Sequence, residues 1–287
     1  MMLKEEWISY IKKNRVVPTK SLGQNFLVEN TVVDRIVEAA GLCEEDYVLE
    51  IGSGLGVLTE SLVASNAMVT AVEIDKHIAP LLQKRLSYTE DPGGALQIRI
   101  EDFLKIEYLS LKREGSLPTV CISNLPYYIT TDIMMKLFRY QEDFRVMVFM
   151  VEKAACERIF AGVGSKSYGP LSVISSVYGT KERLFDVHAS SFYPQPHTLS
   201  AVIRLTRDGE RQAVPTVFFS LVRAAFAQRR KTLMNALSQS ALFPGGKEQT
   251  KKFIEYSGLT ENSRAEEITP EQYVQLARDL ESFYIRK

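Results

Sequence analysis

A strand, a glycine-rich turn and a helix near the start of the chain constrain its fold more than any other feature. Residues 47–51 (Tyr-Val-Leu-Glu-Ile) have the composition of a buried strand, and they run directly into a turn with glycine at every second position. A helix is predicted from Val57, and the next predicted strand ends in Glu73, 21 residues after Gly52. This order predicts the opening βαβ unit of a parallel sheet, with a ligand held at the turn.

The spacing of the glycines distinguishes between ligands. The turn reads Glu50-x-Gly52-x-Gly54-x-Gly56, which is not the G-x-G-x-x-G of a dinucleotide site and contains no Gly-Lys-Ser/Thr for a triphosphate. A carboxylate at Glu73 can accept hydrogen bonds from both hydroxyls of a ribose. The acid at position 50 suits a positively charged ligand, such as the sulfonium and ammonium of S-adenosylmethionine. A dinucleotide oxidoreductase is therefore disfavoured.

A second motif, Ser123-Asn124-Leu125-Pro126-Tyr127-Tyr128, follows the predicted strand at residues 119–122. The Asn124 amide can both donate and accept hydrogen bonds. Pro126 fixes the local backbone and has no N–H, so nearby carbonyls can face a ligand, while Tyr127 supplies a flat ring. These groups can hold a planar base that bears an amino group. The alternative is a proline turn capped by Asn124, and the glycine turn upstream favours the base site.

A third predicted strand, residues 96–100, ends in Glu101-Asp102. Asp102 is placed to accept a hydrogen bond from the amino group of an adenine. Its carboxylate could instead cap the turn that follows, because aspartate is a common N-cap residue. Both interpretations remain open at the level of the sequence.

Strands alternate with helical segments as far as residue 207, after which only helices are predicted. This alternation is typical of a doubly wound α/β domain. We therefore predict such a domain over residues 1–207 and a small helical domain over residues 208–287. The helices predicted in the second domain span residues 216–240, 247–257 and 269–283.

The net charge excludes a globally basic protein. Lys+Arg and Asp+Glu are both 35, so any surface that attracts nucleic acid must be local. From residue 214 onward there are eleven basic and eight acidic residues, and Arg229, Arg230 and Lys231 fall within one turn of a predicted helix. Such a cluster is usually a solvated face. In an enzyme that modifies a nucleic-acid base it becomes a candidate phosphate contact.

Taken together, the motifs resemble the ribosomal RNA adenine N6-dimethyltransferases that act on the small subunit, the kasugamycin-sensitivity type. The resemblance covers nearly the whole chain and rests on residues 23–27 (Gly-Gln-Asn-Phe-Leu), 50–56, 72–75 (Val-Glu-Ile-Asp), 124–127, 165–173, 192–196 and 200–205, and 229–233. It implies an α/β class I methyltransferase (Rossmann-like) fold with a seven-stranded sheet, and a small all-helical C-terminal domain that helps to hold RNA.

The resemblance also implies roles for individual residues. The cofactor S-adenosylmethionine would contact Asn25, Leu27, Gly52, Gly54, Glu73, Asp102 and Asn124. The target adenine would be held by Asn124, Leu125, Pro126 and Tyr127, with Phe192 covering its other face, and RNA would contact Arg229, Arg230 and Lys231. The chain departs from the family pattern at Ser53, where proline is common, at Tyr128, where a second asparagine is common, and in the run 152–155.

The expected activity is transfer of methyl groups to N6 of adenines in small-subunit ribosomal RNA, with two adjacent adenines dimethylated. Two alternatives stay open: a large-subunit adenine N6-methyltransferase of the macrolide-resistance type, and an RNA-binding ribosome-assembly factor on the same fold. The motif Asn-Leu-Pro-Tyr at 124–127 and the run Ser-Lys-Ser-Tyr-Gly at 165–169 favour the small-subunit enzyme, and intact acids at 73 and 102 argue against loss of catalysis.

The remaining composition predicts a soluble, cytoplasmic protein. The resemblance implies that it binds immature small ribosomal subunits, and we expect it to be a monomer. The cysteines, Cys43, Cys121 and Cys156, are odd in number and far apart, which is typical of reduced thiols. The first 20 residues lack the apolar core of a signal peptide, and no apolar run is long enough to cross a bilayer. The three histidines have no ligand spacing, so no metal is expected.

Overall fold

The computed structural model describes residues 2–19, 22–86, 95–207, 209 and 214–285. Lys20 and Ser21 of the N-terminal lead-in, and Asp208 at the predicted domain boundary, lie outside the described residues. The chain divides into two compact units. A sheet unit comprises Met1–Cys156 and Lys181–Arg207, and a helical unit comprises Glu157–Thr180 and Asp208–Lys287. Residues 157–180, which the sequence assigned to the first domain, thus group with the C-terminal segment.

Seven of nine described strands form one sheet. The strands are β1 (Phe26–Leu27), β2 (Tyr47–Ile51), β3 (Met68–Glu73), β4 (Leu96–Ile100), β5 (Val120–Asn124), β6 (Val146–Glu152), β7 (Gly179–Val187), β8 (Phe192–Tyr193) and β9 (Ser200–Arg207). The order across the sheet is β4-β3-β2-β5-β6-β9-β7. Neighbours from β4 to β6 are parallel, and β9 runs antiparallel to β6. The carboxyl ends of β2, β3, β4 and β5 therefore meet at one edge, where α/β sheets bind ligands.

Eleven α-helices are described. They are α1 (Lys4–Lys13), α2 (Asn30–Ala40), α3 (Val57–Ala64), α4 (Ala79–Leu86), α5 (Thr130–Leu137), α6 (Lys153–Ile159), α7 (Pro170–Tyr178), α8 (Phe218–Phe226), α9 (Leu233–Leu237), α10 (Gly246–Tyr256) and α11 (Pro270–Ile285). Among the described residues, every helix is too short or too polar to span a bilayer.

Apolar patterning explains why the predicted elements form. Residues 146–151 of β6 are an unbroken apolar run and all are buried, as expected of a strand covered on both faces. In α2, Val32, Val33 and Ile36 lie on the buried face, and the helix ends at Gly41 with φ 53°, a left-handed value that glycine adopts without strain. The predicted alternation of strands and helices is confirmed.

Two sequence predictions were wrong in detail. The single helix predicted over 216–240 is two helices, α8 and α9, so Arg229–Lys231 lie in the turn between them rather than within one helical turn. Thr232 starts the second helix because its hydroxyl accepts a hydrogen bond from the Asn235 N–H (3.4 Å). One of the helical segments expected between the strands, residues 75–87, begins only at Ala79. The Asp75 carboxylate accepts from the His77 N–H (2.8 Å) and holds a turn before the helix.

Candidate active site

A cavity lies at the carboxyl edge of the sheet. It is lined by the glycine turn, by the end of β3, by residues 22–27 of the N-terminal segment and by residues 124–128 after β5. All of these segments belong to the sheet unit.

The glycine turn and the Asn-Leu-Pro-Tyr motif meet inside this cavity. A Cβ atom at Gly52 would lie 3.4 Å from the ring of Pro126, so the turn lies directly beside the proline. Gly52 also has φ 74°, a conformation that a residue with a side chain adopts only with strain. The two motifs that the sequence singled out thus form one site.

Glu73 is 4% exposed and fixes the glycine turn to the end of β3. Its carboxylate accepts hydrogen bonds from the Gly54 N–H (2.7 Å) and from the Asp75 N–H (2.8 Å). Burial raises the pKa of Glu73, and these two hydrogen bonds oppose that effect. A carboxylate has about four lone-pair positions, so acceptor capacity remains for ribose hydroxyls.

Glu50 lies at the floor of the cavity, is 2% exposed and accepts a hydrogen bond from the Thr59 hydroxyl (2.6 Å). Burial raises the pKa of Glu50 to about 8, and the Thr59 hydrogen bond acts in the opposite direction. Burial thus favours the neutral form of this carboxyl group, whereas a positively charged ligand beside it would favour the ionised form.

The N-terminal segment closes one side of the cavity, and sequence reasoning missed how it is held. Gln24 donates a hydrogen bond to the Asp75 carboxylate (2.7 Å) and accepts one from the Thr19 N–H (2.7 Å). The two-residue strands β1 and β8 pair antiparallel and anchor the same segment. Asn25 and Leu27 line the cavity as predicted, and the Asn25 amide donates to the Gly23 carbonyl (3.0 Å). The signal was present, because Gln24 and Asp75 both stand inside motifs noted above.

Asp102 is a helix cap in this structure. Its Oδ1 accepts a hydrogen bond from the Leu104 N–H (3.0 Å) at the start of a 3₁₀ turn, Phe103–Lys105, and its Oδ2 lies 3.7 Å from the Lys105 ammonium. The capping interpretation is therefore confirmed. Asp102 does not line the cavity itself, but capping uses one oxygen and leaves acceptor capacity on the other.

Asn124 ends β5 at the cavity, and no described residue hydrogen-bonds to its side-chain amide. The interpretation of Asn124 as a cap is therefore wrong. The Pro126 carbonyl is already used, because it accepts from the Ile129 N–H (3.2 Å) and from the Thr130 hydroxyl (2.9 Å). No described group donates to the Leu125 carbonyl. Of the two carbonyls that the sequence left open, Leu125 is the one available to a ligand.

The aromatic residues differ in their placement. Tyr127 lines the cavity, its hydroxyl is hydrogen-bonded to that of Ser200, and burial raises its pKa. Tyr128 also lines the cavity, is 48% exposed and packs against Gly23, where an added Cβ would be 3.4 Å from the ring. Phe192 is only 2% exposed, lies in the hydrophobic core and does not line the cavity. The ring of Phe192 therefore offers no free face to a base in this structure.

The basic cluster, Arg229, Arg230 and Lys231, is exposed on the helical unit. The Arg229 guanidinium donates to the carbonyl of Lys166 at 2.5 Å, whereas the side chains of Arg230 and Lys231 make no hydrogen bond or ion pair with any described residue. Within the described part of the chain, His, Cys, Asp and Glu side chains form no group of three that could hold a metal ion.

Comparison with known proteins identifies the family of the chain. Residues 18–282 match the profile of the ribosomal RNA adenine dimethylase family. The ribosomal RNA small subunit methyltransferase A of Lachnoclostridium phytofermentans is 36% identical over 278 residues, which is 95% of each chain.

Two solved structures are similar in fold. A dimethyladenosine transferase from Plasmodium falciparum has a TM-score of 0.68 at 22% identity, covering 88% of this chain and 96% of that one. The 23S rRNA methyltransferase ErmE has a TM-score of 0.59 at 23% identity, covering 90% and 100%. At these identities the structural similarity concerns the fold alone. It confirms the predicted α/β, Rossmann-like methyltransferase fold.

Proposed function

The chain belongs to the ribosomal RNA adenine dimethylase family, and on that premise we propose that it transfers methyl groups from S-adenosylmethionine to N6 of adenines in small-subunit ribosomal RNA. The observation that carries the proposal is the pair of free acceptors, the Asn124 amide and the Leu125 carbonyl, beside the glycine turn. Dimethylation of two adjacent adenines, a monomeric state, a cytoplasmic location and binding to immature small subunits remain predictions.

The cavity fits S-adenosylmethionine by the chemistry of its donors and acceptors. Glu73 would accept from the ribose hydroxyls, and Glu50 would face the charged end of the ligand. The Ser53 hydroxyl lies in the same cavity, is buried and has no hydrogen-bond partner among the described residues. Buried polar groups without partners are costly, so Ser53 marks a place where a polar ligand is expected. When bound, S-adenosylmethionine supplies a methyl group on a positively charged sulfur.

Asn124 and Leu125 would prepare the acceptor nitrogen. The N6 lone pair of adenine is conjugated with the ring and is a poor nucleophile. Asn124 Oδ1 and the Leu125 carbonyl can accept both N6 hydrogens, which favours a more tetrahedral nitrogen with an available lone pair. As positive charge develops on N6, these fixed acceptors stabilise it, which is electrostatic preorganisation. No separate general base is required, because the N6 proton becomes acidic once the nitrogen carries the methyl group.

Tyr127 would hold the adenine ring. Its side chain lines the cavity next to Asn124, and the hydrogen bond to Ser200 fixes its orientation. Stacking on an aromatic side chain is the usual way in which proteins hold an unpaired base. The second ring expected from the sequence, Phe192, is buried, so Tyr127 supplies the stacking face.

Methyl transfer with labelled S-adenosylmethionine tests the function. Purified protein would be incubated with immature small subunits and, in parallel, with large-subunit RNA, and the modified base would be mapped. Label on N6 of small-subunit adenines supports the proposal. Label only on large-subunit RNA would favour the macrolide-resistance type, and tight subunit binding without transfer would favour an assembly factor.

A further inference from the structure

Lys136 makes an unusual set of contacts with the chain that follows Asp102. Its ammonium, on α5, donates to the carbonyls of Phe103 (2.7 Å), Leu104 (3.1 Å) and Ile106 (2.5 Å). The ammonium also lies 4.9 Å from the centre of the Phe103 ring. Three donors thus meet three carbonyl acceptors, which uses the full hydrogen-bonding capacity of a lysine. The side chain is not placed as a solvated surface charge.

These contacts clamp one 3₁₀ turn at both ends. Asp102 caps the N-terminal end through the Leu104 N–H, and Lys136 binds the carbonyls of the C-terminal end. A positive charge is favourable there because the carbonyl end of a helical turn carries partial negative charge. An isolated single turn is not stable by itself. The direction of the Asp102 carboxylate therefore depends on how this turn is held.

The contacts of Lys136 link two segments near the site, the turn after Asp102 and the helix that follows the Asn-Leu-Pro-Tyr motif. The helix α5 begins at Thr130, directly after the Asn-Leu-Pro-Tyr motif, and its Lys136 reaches the turn at the end of β4. Burial lowers the pKa of Lys136, while the nearby Asp102 carboxylate opposes that effect. The ammonium and the carboxylate are thus close enough to influence each other, in agreement with a shared role.

We propose that Lys136 is a positioning residue that orients Asp102 toward the 6-amino group of the cofactor's adenine, and that it thereby sets the preference for adenine over hypoxanthine. The proposal rests on the proposed function, because it requires an adenosyl cofactor in this cavity. A carboxylate accepts hydrogen bonds from an amino group, but it repels the carbonyl oxygen that replaces it in hypoxanthine. Correct orientation of Asp102 therefore matters more for binding of a ligand that carries adenine than for binding of one that carries hypoxanthine.

The test compares S-adenosylhomocysteine with S-inosylhomocysteine by calorimetry. In the inosyl ligand a carbonyl oxygen replaces the 6-amino group and the neighbouring N1 carries a hydrogen. We expect the wild-type protein to prefer the adenosyl ligand by about 10- to 100-fold, the scale of leaving a buried polar group unpaired. Lys136→Met should weaken binding of the adenosyl ligand about 10-fold and leave the inosyl ligand nearly unchanged, so that most of the preference disappears. Lys136→Arg keeps a cation and hydrogen-bond donors, and should retain part of the preference for the adenosyl ligand.

Arg139→Met is the matched control, because it removes an exposed positive charge one turn further along the chain. Its ligand preference should equal that of the wild type. If Lys136→Met fails to fold, Lys136→Gln, which keeps a donor without the charge, gives the same comparison.

Two results would overturn the assignment of Lys136 alone. An equal loss of affinity for both ligands with a lowered melting temperature would make Lys136 merely structural, and an unchanged preference would show that Asp102 is oriented without it. A wild-type protein that binds neither ligand would instead overturn the proposed cofactor, and the assignment of Lys136 with it.

Discussion

The Glu73 carboxylate accepts a hydrogen bond from the backbone N–H of Gly54, with 2.7 Å between Oε2 and nitrogen. The bond joins the end of β3 to the glycine turn that follows β2, so the two cofactor-binding elements inferred from the sequence are held together. The other carboxylate oxygen of Glu73 accepts a hydrogen bond from the Asp75 N–H. Glu73 therefore shapes the turn, and in the proposed function it also presents acceptors to a ribose.

Replacing Glu73 with alanine should weaken binding of S-adenosylmethionine by roughly 1–3 kcal/mol, because buried donors and the ribose hydroxyls lose their acceptor. The melting temperature should also fall, since the Gly54 and Asp75 N–H groups lose their partner. Calorimetry well below the melting temperature separates the two effects. Glu101→Ala is the control, because Glu101 is exposed at the end of the neighbouring strand. Binding of NAD without binding of S-adenosylmethionine would contradict the cofactor assignment.

Asn124→Ala should lower turnover by at least about 100-fold, comparable with the loss of one oriented group at a developing charge. Affinity for the RNA should change little, since most of it comes from phosphate contacts. Single-turnover methylation and a subunit-binding assay measure the two quantities. Asn14→Ala removes an exposed amide at the end of α1 and should leave both unchanged. A near-normal methylation rate for Asn124→Ala would contradict the proposed role of Asn124 in holding the base.

The stability of the ligand-free protein should depend on pH through Glu50. Its pKa in the folded protein is about 8, above the ordinary value of 4.5. Between these values the folded state binds a proton that the unfolded chain has released, so the contribution of Glu50 to the unfolding free energy decreases as pH rises. The slope from one such group is at most about 1.4 kcal/mol per pH unit.

Glu50→Gln should therefore show a smaller decrease in melting temperature across this pH window than the wild type. Some decrease should remain, because burial also raises the pKa of Glu73. Thermal unfolding in a series of buffers measures the difference. If the melting temperatures of the two proteins changed with pH in the same way, Glu50 would not titrate in this range.

The basic cluster should contribute to RNA binding through Arg230 and Lys231, whose side chains are exposed and make no hydrogen bond or ion pair with any described residue. Replacing both with glutamine should flatten the salt dependence of subunit binding, by roughly 0.7–0.9 in logarithmic slope for each phosphate that the protein no longer neutralises. The melting temperature and the cofactor affinity should stay unchanged. The double change of Lys251 and Lys252 to glutamine removes the same charge from α10 as a control.

Arg229→Gln is a separate variant, because the guanidinium of Arg229 holds the Lys166 carbonyl. We expect a lowered melting temperature for this change alone. A double variant at Arg230 and Lys231 with an unaltered salt slope would indicate that the cluster is only a solvated face.

Phe192→Leu should lower stability while leaving methyl transfer nearly normal. The Phe192 ring is 2% exposed in the hydrophobic core, so a smaller side chain leaves unfilled volume there, with an expected cost of roughly 1–3 kcal/mol. Tyr127→Leu is the comparison, because it removes the ring that lines the cavity and should raise the KM for RNA. A large loss of activity in a stable Phe192→Leu protein would restore the role inferred from the sequence.

The sequence by itself determined the βαβ opening, the glycine turn with Glu73, the Asn-Leu-Pro-Tyr motif and the change to helices after residue 207. Each is encoded locally, by the period of apolar residues or by residues whose backbone and hydrogen-bonding chemistry is fixed. Six of the seven residues expected to contact a cofactor line one cavity at the sheet edge, because parallel strands bring their carboxyl ends together. Their role in holding a cofactor stays a prediction.

Only the tertiary structure decided which of these groups are free. Phe192 has an aromatic ring suitable for stacking, but its pairing with residues 26–27, far away in the chain, places it in the core. The Leu125 carbonyl is available because the Pro126 carbonyl accepts two other hydrogen bonds. Lys136 looks like an ordinary helix charge until α5 brings it to the turn after Asp102. Burial and hydrogen-bond partners depend on segments distant in sequence, and local patterns carry no information about them.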